Sequence, residues 1–243
     1  MDVWIQKIKG EFHNANTYTA WRGFEQLGAH IEFFDMSQIH SLPLQRETPV
    51  IGGIPCVLKA LEILGQSRPQ IASLPAQLHA FYGRKIEVQT LQEVRNRINE
   101  ETAQALFIKP LPHDHKLFDG HVVSRFRDLI QTAGIDPQTP ILTSEVVDFI
   151  AEYRGFVHQN ELVGFRHYRG DFRFYPDMKI VDAGLRAFVD SPVACSMDWG
   201  VTRDGRTLLI EINDAYSLGC YGLDPLFYAP MLRDRWFQMV NLT

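Results

Sequence analysis

Met197-Asp198-Trp199-Gly200 and, after Arg203-Asp204-Gly205, Leu208-Leu209-Ile210-Glu211-Ile212-Asn213-Asp214 form the stretch on which the reading of the fold turns. Two apolar runs around an Asp-Gly turn predict a β-hairpin, with 195–202 pairing against 207–213. Side chains alternate along a strand, so Glu211 and Asn213 project together while Ile210 and Ile212 face the core. Asp198 sits on the partner strand, where pairing brings it near Glu211. Two carboxylates and one amide oxygen are hard donors, a set that suits magnesium shared with phosphate oxygens. Polar pairs on strands commonly just face water. Here the Leu-Leu-Ile flank predicts a central strand, where an acidic face needs a reason.

Upstream, residues 91–102 predict a helix and 105–109 a strand closed by Pro110; 118–124 predicts another strand and 125–133 a helix ending at Gly134. The stretch 141–147 comes next, then strands 151–159 and 162–168 around Asn160-Glu161. These are antiparallel signatures with helices alongside, an α+β pattern. The front of the chain differs. Strand 2–8, helix 18–27 closed by Gly28, strand 30–34, Val50-Ile51 running into Gly52-Gly53, and helix 55–64 closed by Gly65 predict a small parallel α/β sheet. Gly52-Gly53 opens a helix, either as a tight packing turn or as an anion cradle. The polar, proline-bearing stretch 67–75 marks a boundary and divides the chain into domains 1–72 and 73–243. The C-terminal aromatics Tyr216, Tyr221, Phe227, Tyr228, Trp236 and Phe237 are expected to pack a final helix.

Composition narrows the function classes. A net charge of -5 argues against a nucleic-acid surface, although Arg166, Arg169 and Arg173 make a local basic strip. No apolar run reaches the roughly 20 residues of a membrane span. The start, Met1-Asp2-Val3-Trp4, lacks a signal-peptide pattern. Three scattered cysteines, Cys56, Cys195 and Cys220, suit a reducing compartment, so a cytoplasmic protein is expected. Walker, GxSxG and GxGxxG motifs are missing from the sequence.

At Asp198 and Glu211-Ile212-Asn213 the sequence resembles the ATP-grasp superfamily, over about residues 74–241. It is most similar to the small bacterial and phage ATP-grasp proteins without an assigned substrate. The resemblance implies a pre-ATP-grasp-like α/β domain followed by an α+β ATP-grasp fold that holds ATP between two antiparallel sheets. It implies that Asp198, Glu211 and Asn213 hold the magnesium ions bridging the ATP phosphates. Phe107-Ile108-Lys109-Pro110 is similar to the family's strand whose lysine contacts phosphate, and the loop 113–120, with Lys116, sits where the family has a mobile phosphate cover. Ser144-Glu145-Val146-Val147 resembles the adenine hinge, and Glu152-Tyr153-Arg154 the next strand, whose glutamate takes the ribose hydroxyls. Lys85, beside Arg84, is the candidate for the adenine-side lysine.

One departure stands out. The ligase branch carries an arginine two residues before the metal aspartate, and here that residue is Ser196. Its role in stabilising the tetrahedral intermediate must fall elsewhere. The segment 166–173 offers guanidinium forks for carboxylate or phosphate, with Arg169 and Arg173 on one strand face; alternatively it is a solvated edge strand.

The expected function is an ADP-forming carboxylate–amine or carboxylate–thiol ligase acting through an acyl phosphate, with ATP and Mg2+ as cofactors. Lys109, Arg154 and Arg169 are the candidate catalytic cations; Lys109, Lys116, Glu145, Val146, Val147 and Glu152 are the candidate nucleotide contacts. The expected partners are a small-molecule or peptide carboxylate, an amino acid or peptide by class, and an amine acceptor. No membrane and no nucleic acid are expected, and oligomerisation stays open. His13, Asn14 or the Gly52-Gly53 turn would complete the acceptor site from the front domain. A phosphotransferase, an ATP-binding module without turnover and a nucleic-acid binder are the rival readings.

Overall fold

The computed structural model describes residues 1–12, 14–69, 75–100, 104–111 and 117–242. The expected boundary at 72/73 lies outside the described residues, as do His13 and, in the loop 113–120, residues 113–116 with Lys116.

The front of the chain forms β1 (Asp2–Gln6), α1 (Ala15–Gln26), β2 (His30–Phe34), β3 (Val50–Ile51) and α2 (Ile54–Ile63). The sheet order is β2-β1-β3 and both pairings are parallel. Asn14 starts α1 by accepting the Thr17 amide at 3.0 Å, and Gly28 follows its end at φ +71°, where a side chain would strain the turn. The Gly52-Gly53 turn resolves as a packing feature. The Gly53 amide donates to Gln6 Oε1 at 3.0 Å, and a Cβ on Gly52 would lie 2.6 Å from that oxygen and 2.7 Å from Cys56 Sγ.

A second sheet comes next. It contains α3 (His79–Tyr82), β4 (Ile86–Thr90), α4 (Leu91–Ile98), β5 (Leu106–Pro110), β6 (His121–Val123) and β7 (Pro140–Glu145), with antiparallel order β4-β7-β5-β6. Strand β4 goes beyond the sequence reading, although Ile86 and Val88 alternate with polar residues. The expected helix at 125–133 is a 3-10 helix, Phe126–Thr132, and the strand expected at 118–124 shortens to three residues. Thr90 and Glu93 form a reciprocal capping box that turns β4 directly into α4.

The third sheet uses β8 (Phe149–His158), β9 (Glu161–Gly170), β10 (Ala194–Thr202) and β11 (Thr207–Asp214), with α5 (Met178–Ala187) between β9 and β10. Its order is β11-β10-β8-β9, antiparallel throughout. The chain turns from β8 to β9 through Gln159 and Asn160 at positive φ, and from β10 to β11 through Gly205 at φ +83°. On one face Cys195, Met197, Trp199 and Leu209 pack with Leu78, Tyr82 and Val181. A bulge changes one expectation. Asp198 pairs with Glu211, but Trp199 pairs with Leu209, so Ile210 is the extra residue. Leu209 and Ile212 therefore reach the core beside Trp199, in place of the expected Ile210 and Ile212.

The final helix, α6 (Pro225–Met239), returns to the front sheet. Phe24, Ile5 and Ile51 share a cluster with Leu223, Tyr228 and Leu232, and Trp4 and Val57 share another with Trp236. A Cβ on Gly23 would come 2.2 Å from the Pro225 carbonyl oxygen, so the α1–α6 crossing requires glycine there. Tyr216, Tyr228, Trp236 and Phe237 pack as expected, whereas Tyr221 and Phe227 are exposed. Among the described residues no helix is long and apolar enough to cross a membrane.

Candidate functional site

Arg166, Arg154, Asp198 and Glu211 are successive cross-strand partners on β9, β8, β10 and β11. The row runs across the third sheet on the face opposite Met197 and Trp199. Further along that face Phe156 and Ala194 pack into the front core. One sheet face thus switches from apolar packing to charge within two residues of strand. Asp198 is buried, and both of its oxygens are taken by Arg154, at 2.8 Å from Nε and 2.6 Å from Nη2. Burial pushes the Asp198 carboxyl up to about 6; Arg154 opposes the rise and the neighbouring Glu211 charge adds to it. Ser196, standing where the ligase branch has arginine, donates its hydroxyl to Asp198 Oδ1 at 3.3 Å.

Glu211 reaches out of its own sheet. Its Oε2 accepts from Lys109 Nζ on β5 at 2.9 Å, which ties the second sheet to the third. Burial raises the Glu211 carboxyl, but Lys109, Asn213 and Arg154 outweigh it and hold the group below its usual value. Asn213 Nδ2 donates to Glu211 Oε1 at 3.0 Å and to Asp198 Oδ2 at 3.3 Å. The predicted trio therefore converges, and its oxygen chemistry fits a hard divalent cation. Among the described residues no three His, Cys, Asp or Glu side chains converge; an amide completes this set.

Arg154 is seated between two tyrosines. Its guanidinium carbon lies 4.7 Å from the Tyr221 ring centroid and 6.0 Å from that of Tyr168. Tyr168 is the bulge residue on β9, since Glu152 pairs with Arg169 and Tyr153 with His167. Gly219 leaves room for the seat, because a Cβ there would lie 3.0 Å from the Tyr221 ring and 3.3 Å from Arg154 Nη1. The glycine-bounded turn 219–222 is legible in the sequence as a tight turn just after β11, whereas Tyr168 escapes sequence reasoning, because a bulge shifts side chains between faces without a sequence marker. Arg84 escapes it as well. Its guanidinium donates to the Leu209 and Ile210 carbonyls at 2.8 and 2.9 Å and to Tyr82 at 3.0 Å, so it clamps the bulge that aims Glu211.

The remaining candidates lie at two further places. Glu152 Oε1 accepts from Arg169 Nη1 at 2.8 Å beside the row. At the end of β7 the Glu145 carboxylate turns back and accepts the Lys85 amide at 2.9 Å, while the Glu145 amide donates to the Lys85 carbonyl at 3.1 Å. Val146 and Val147 come directly after, and with Lys85, Leu106 and Arg206 they line a cavity of about 400 Å3. The metal trio does not line it. Arg173 departs from expectation. The chain leaves β9 at Gly170, φ +82°, and Arg173 folds onto Asp171 at 2.6 Å, so it shares no strand face with Arg169. The thiols of Cys56 and Cys195 are pushed up to about 12 by burial, and all three cysteines are buried and unpaired.

A family model described as an ATP-grasp domain, the second family of its clade, matches residues 81–231, well over half of the chain. Among solved structures, the chain is similar to a RimK domain protein ATP-grasp from Sphaerobacter thermophilus, with TM-score 0.59, 12% identity and full coverage of both chains. It is similar to the macrocyclase MdnC bound with precursor peptide MdnA from Microcystis aeruginosa, with TM-score 0.53 and 14% identity over 99% of this chain and all of that one. It is also similar to D-alanine–D-alanine ligase from Bacillus anthracis, with TM-score 0.51 and 11% identity over all of this chain and 96% of that one. At such identities the likeness shows the fold. No curated protein matches the chain.

Proposed function

The chain belongs to this ATP-grasp domain family and is an ATP- and Mg2+-using enzyme of the ligase class; we propose that it joins a carboxylate to an amine through an acyl phosphate, releasing ADP. The observation that carries this reading is the Lys109–Glu211 bond, which joins one antiparallel sheet to the acidic row of the other. It gathers phosphate-binding and metal-binding chemistry at one point of the cleft. Asp198, Glu211 and Asn213 would hold magnesium, which would supply positive charge against the phosphate oxygens.

The chain's own residues take the other roles. Lys109 offers its ammonium to the terminal phosphate, and Arg154 faces the charge that spreads over the transferring phosphoryl group. Arg169 orients the attacking carboxylate from the exposed side of the row. Glu152 accepts the ribose hydroxyls, the Glu145, Val146 and Val147 backbone meets adenine, and Lys116 covers the phosphates. A substrate carboxylate oxygen bonds to the γ-phosphorus as the bond to the β,γ-bridging oxygen breaks and ADP leaves. The acceptor nitrogen then attacks the acyl carbon. Phosphate departs with the bonding pair, and the nitrogen gives its proton to solvent or phosphate.

The substrate proposed is an amino acid or peptide. MdnC bound with a precursor peptide and the D-alanine ligase support that class. A division at 72/73, with the front unit completing the acceptor site, and a cytoplasmic setting belong to the same proposal. The test is ATP turnover over a panel of amino acids and peptides with hydroxylamine present. ADP together with a hydroxamate is the expected result. AMP with pyrophosphate would overturn the reading, and ADP without hydroxamate would assign a phosphotransferase.

A further inference from the structure

Every carboxylate oxygen of the acidic row is engaged by a donor from the protein. Asp198 Oδ1 accepts from Arg154 Nε at 2.8 Å and from Ser196 Oγ at 3.3 Å. Asp198 Oδ2 accepts from Arg154 Nη2 at 2.6 Å and from Asn213 at 3.3 Å. Glu211 Oε2 accepts from Lys109 at 2.9 Å, and Oε1 from Asn213 at 3.0 Å. Each carboxylate is thus paired with a cationic side chain, Asp198 with Arg154 and Glu211 with Lys109. Asn213 presents its amide hydrogens to both acids, so its carbonyl oxygen must turn before it can serve as a ligand.

A dication arriving alone meets these pairs unfavourably. It must break charge-assisted hydrogen bonds, and it leaves a buried guanidinium without a counter-charge. A triphosphate changes the outcome, because its oxygens accept from both Lys109 and Arg154. Arg154 also has a seat that holds a cation without a carboxylate. The Tyr221 ring face is 4.7 Å from its guanidinium carbon, the Tyr168 ring lies 5.2 Å from that of Tyr221, and glycine at 219 keeps the space open.

We propose that Arg154 and Lys109 are built-in counter-ions that couple the two ligands: a divalent cation takes Asp198 and Glu211 together with a triphosphate and binds poorly without one. The inference rests on the magnesium–ATP reading of the site, and it gives Arg154 a positioning role in addition to any contact with the reacting groups. The guanidinium of Arg154 comes to the metal aspartate from the neighbouring strand.

The experiment uses Mn2+ as the probe, followed by electron paramagnetic resonance, on the full chain. Wild type should bind Mn2+ alone at least about ten-fold more weakly than in the presence of a non-hydrolysable ATP analogue, a coupling of ordinary allosteric size. Arg154→Met and Lys109→Met should each tighten the binding of Mn2+ alone by roughly that factor and shrink the coupling. Arg154→Lys, which keeps the charge but loses the two-bond fork, should tighten Mn2+ alone less than Arg154→Met does. Should Arg154→Met fail to fold, Lys109→Met carries the test, because its ion pair is less deeply buried, with side chains 26% and 34% exposed. Equal Mn2+ affinity with and without nucleotide in wild type would overturn the inference, as would charge-removing variants that gain nothing. Those results leave the magnesium–ATP reading standing. Failure of wild type to bind Mn2+ even with the analogue would overturn both.

Discussion

Two arginine–carboxylate pairs sit side by side on one sheet face, one a buried two-bond fork and the other a single bond whose arginine stays in water. Arg154–Asp198 closes at 2.6 Å with side chains 9% and 1% exposed; Arg169–Glu152 closes at 2.8 Å with side chains 74% and 9% exposed. In the first pair both ions have left water, so each depends on the other, and removing one strands a buried charge. In the second the arginine remains solvated, so the pair contributes little and can open readily. The geometry thus separates two kinds of cation in one cleft. Arg169 can exchange its carboxylate for a substrate at small cost, whereas Arg154 can leave Asp198 only when another cation replaces it.

Deleting the buried partner puts this contrast under the greatest strain. Arg154→Ala should cost about 3–5 kcal/mol of stability, the usual penalty for stranding a buried charge, measured by denaturant unfolding at neutral pH. A loss under about 1 kcal/mol would place the pair with surface bridges. Next in size is the nucleotide preference of the hinge. A carbonyl and an amide at 145–147 match the N6 donor and N1 acceptor of adenine, so ATP should bind at least about ten-fold more tightly than GTP by calorimetry, roughly one good hydrogen bond with a charged or buried group. Equal affinities would remove the hinge from the adenine site.

The exposed pair predicts a smaller effect. Arg169→Ala should change stability by no more than about 1 kcal/mol while raising the KM for the carboxylate substrate, so stability and kinetics should separate. A large stability loss would erase the contrast with Arg154. A third pair, between the two in exposure, extends the trend. Burial raises the Asp234 carboxyl, but hydrogen bonds from His158 and Arg233 outweigh it and hold the group at about 2. A depressed carboxyl stabilises the fold above its usual value of 3.8 and loses that contribution as the pH falls towards 2. The gap in thermal midpoint between wild type and Asp234→Asn should therefore be widest near neutral pH and close on acidification below 4. A gap independent of pH would contradict it.

How far the sequence discloses this site depends on how local each signal is. The Asp198/Glu211-Ile212-Asn213 hairpin is legible because strand alternation and an Asp-Gly turn fix which side chains share a face. The parallel front sheet is legible for a similar reason, with glycine stops after Leu27 and Leu64. Legibility fails at bulges. Ile210 and Tyr168 are each one extra residue in a strand, and each moves the neighbouring side chains to the other face with no marker in composition. It fails as well for long-range partners. Arg84 binds carbonyls about 125 residues away, and Tyr221, ahead of the C-terminal helix, covers Arg154. Strand β4 and helix α5 are missed although each carries the period of its element, alternating in the first and amphipathic in the second; both are short.

If the row Glu211–Asp198–Arg154, joined by Lys109, is a magnesium–ATP phosphoryl-transfer centre, its two carboxylates must be indispensable to turnover in variants that still fold, Asp198→Asn being the less stable of the two because it leaves Arg154 buried without its counter-charge. Calorimetric titration of Mg2+·ATP, with ADP release followed in parallel, decides this on wild type, Glu211→Gln and Asp198→Asn, each checked for folding by circular dichroism. Loss of one preorganised electrostatic group commonly lowers turnover by roughly 10²–10³-fold, and each variant should fall at least that far while remaining folded. Folded variants that bind Mg2+·ATP and release ADP as wild type does would contradict the assignment.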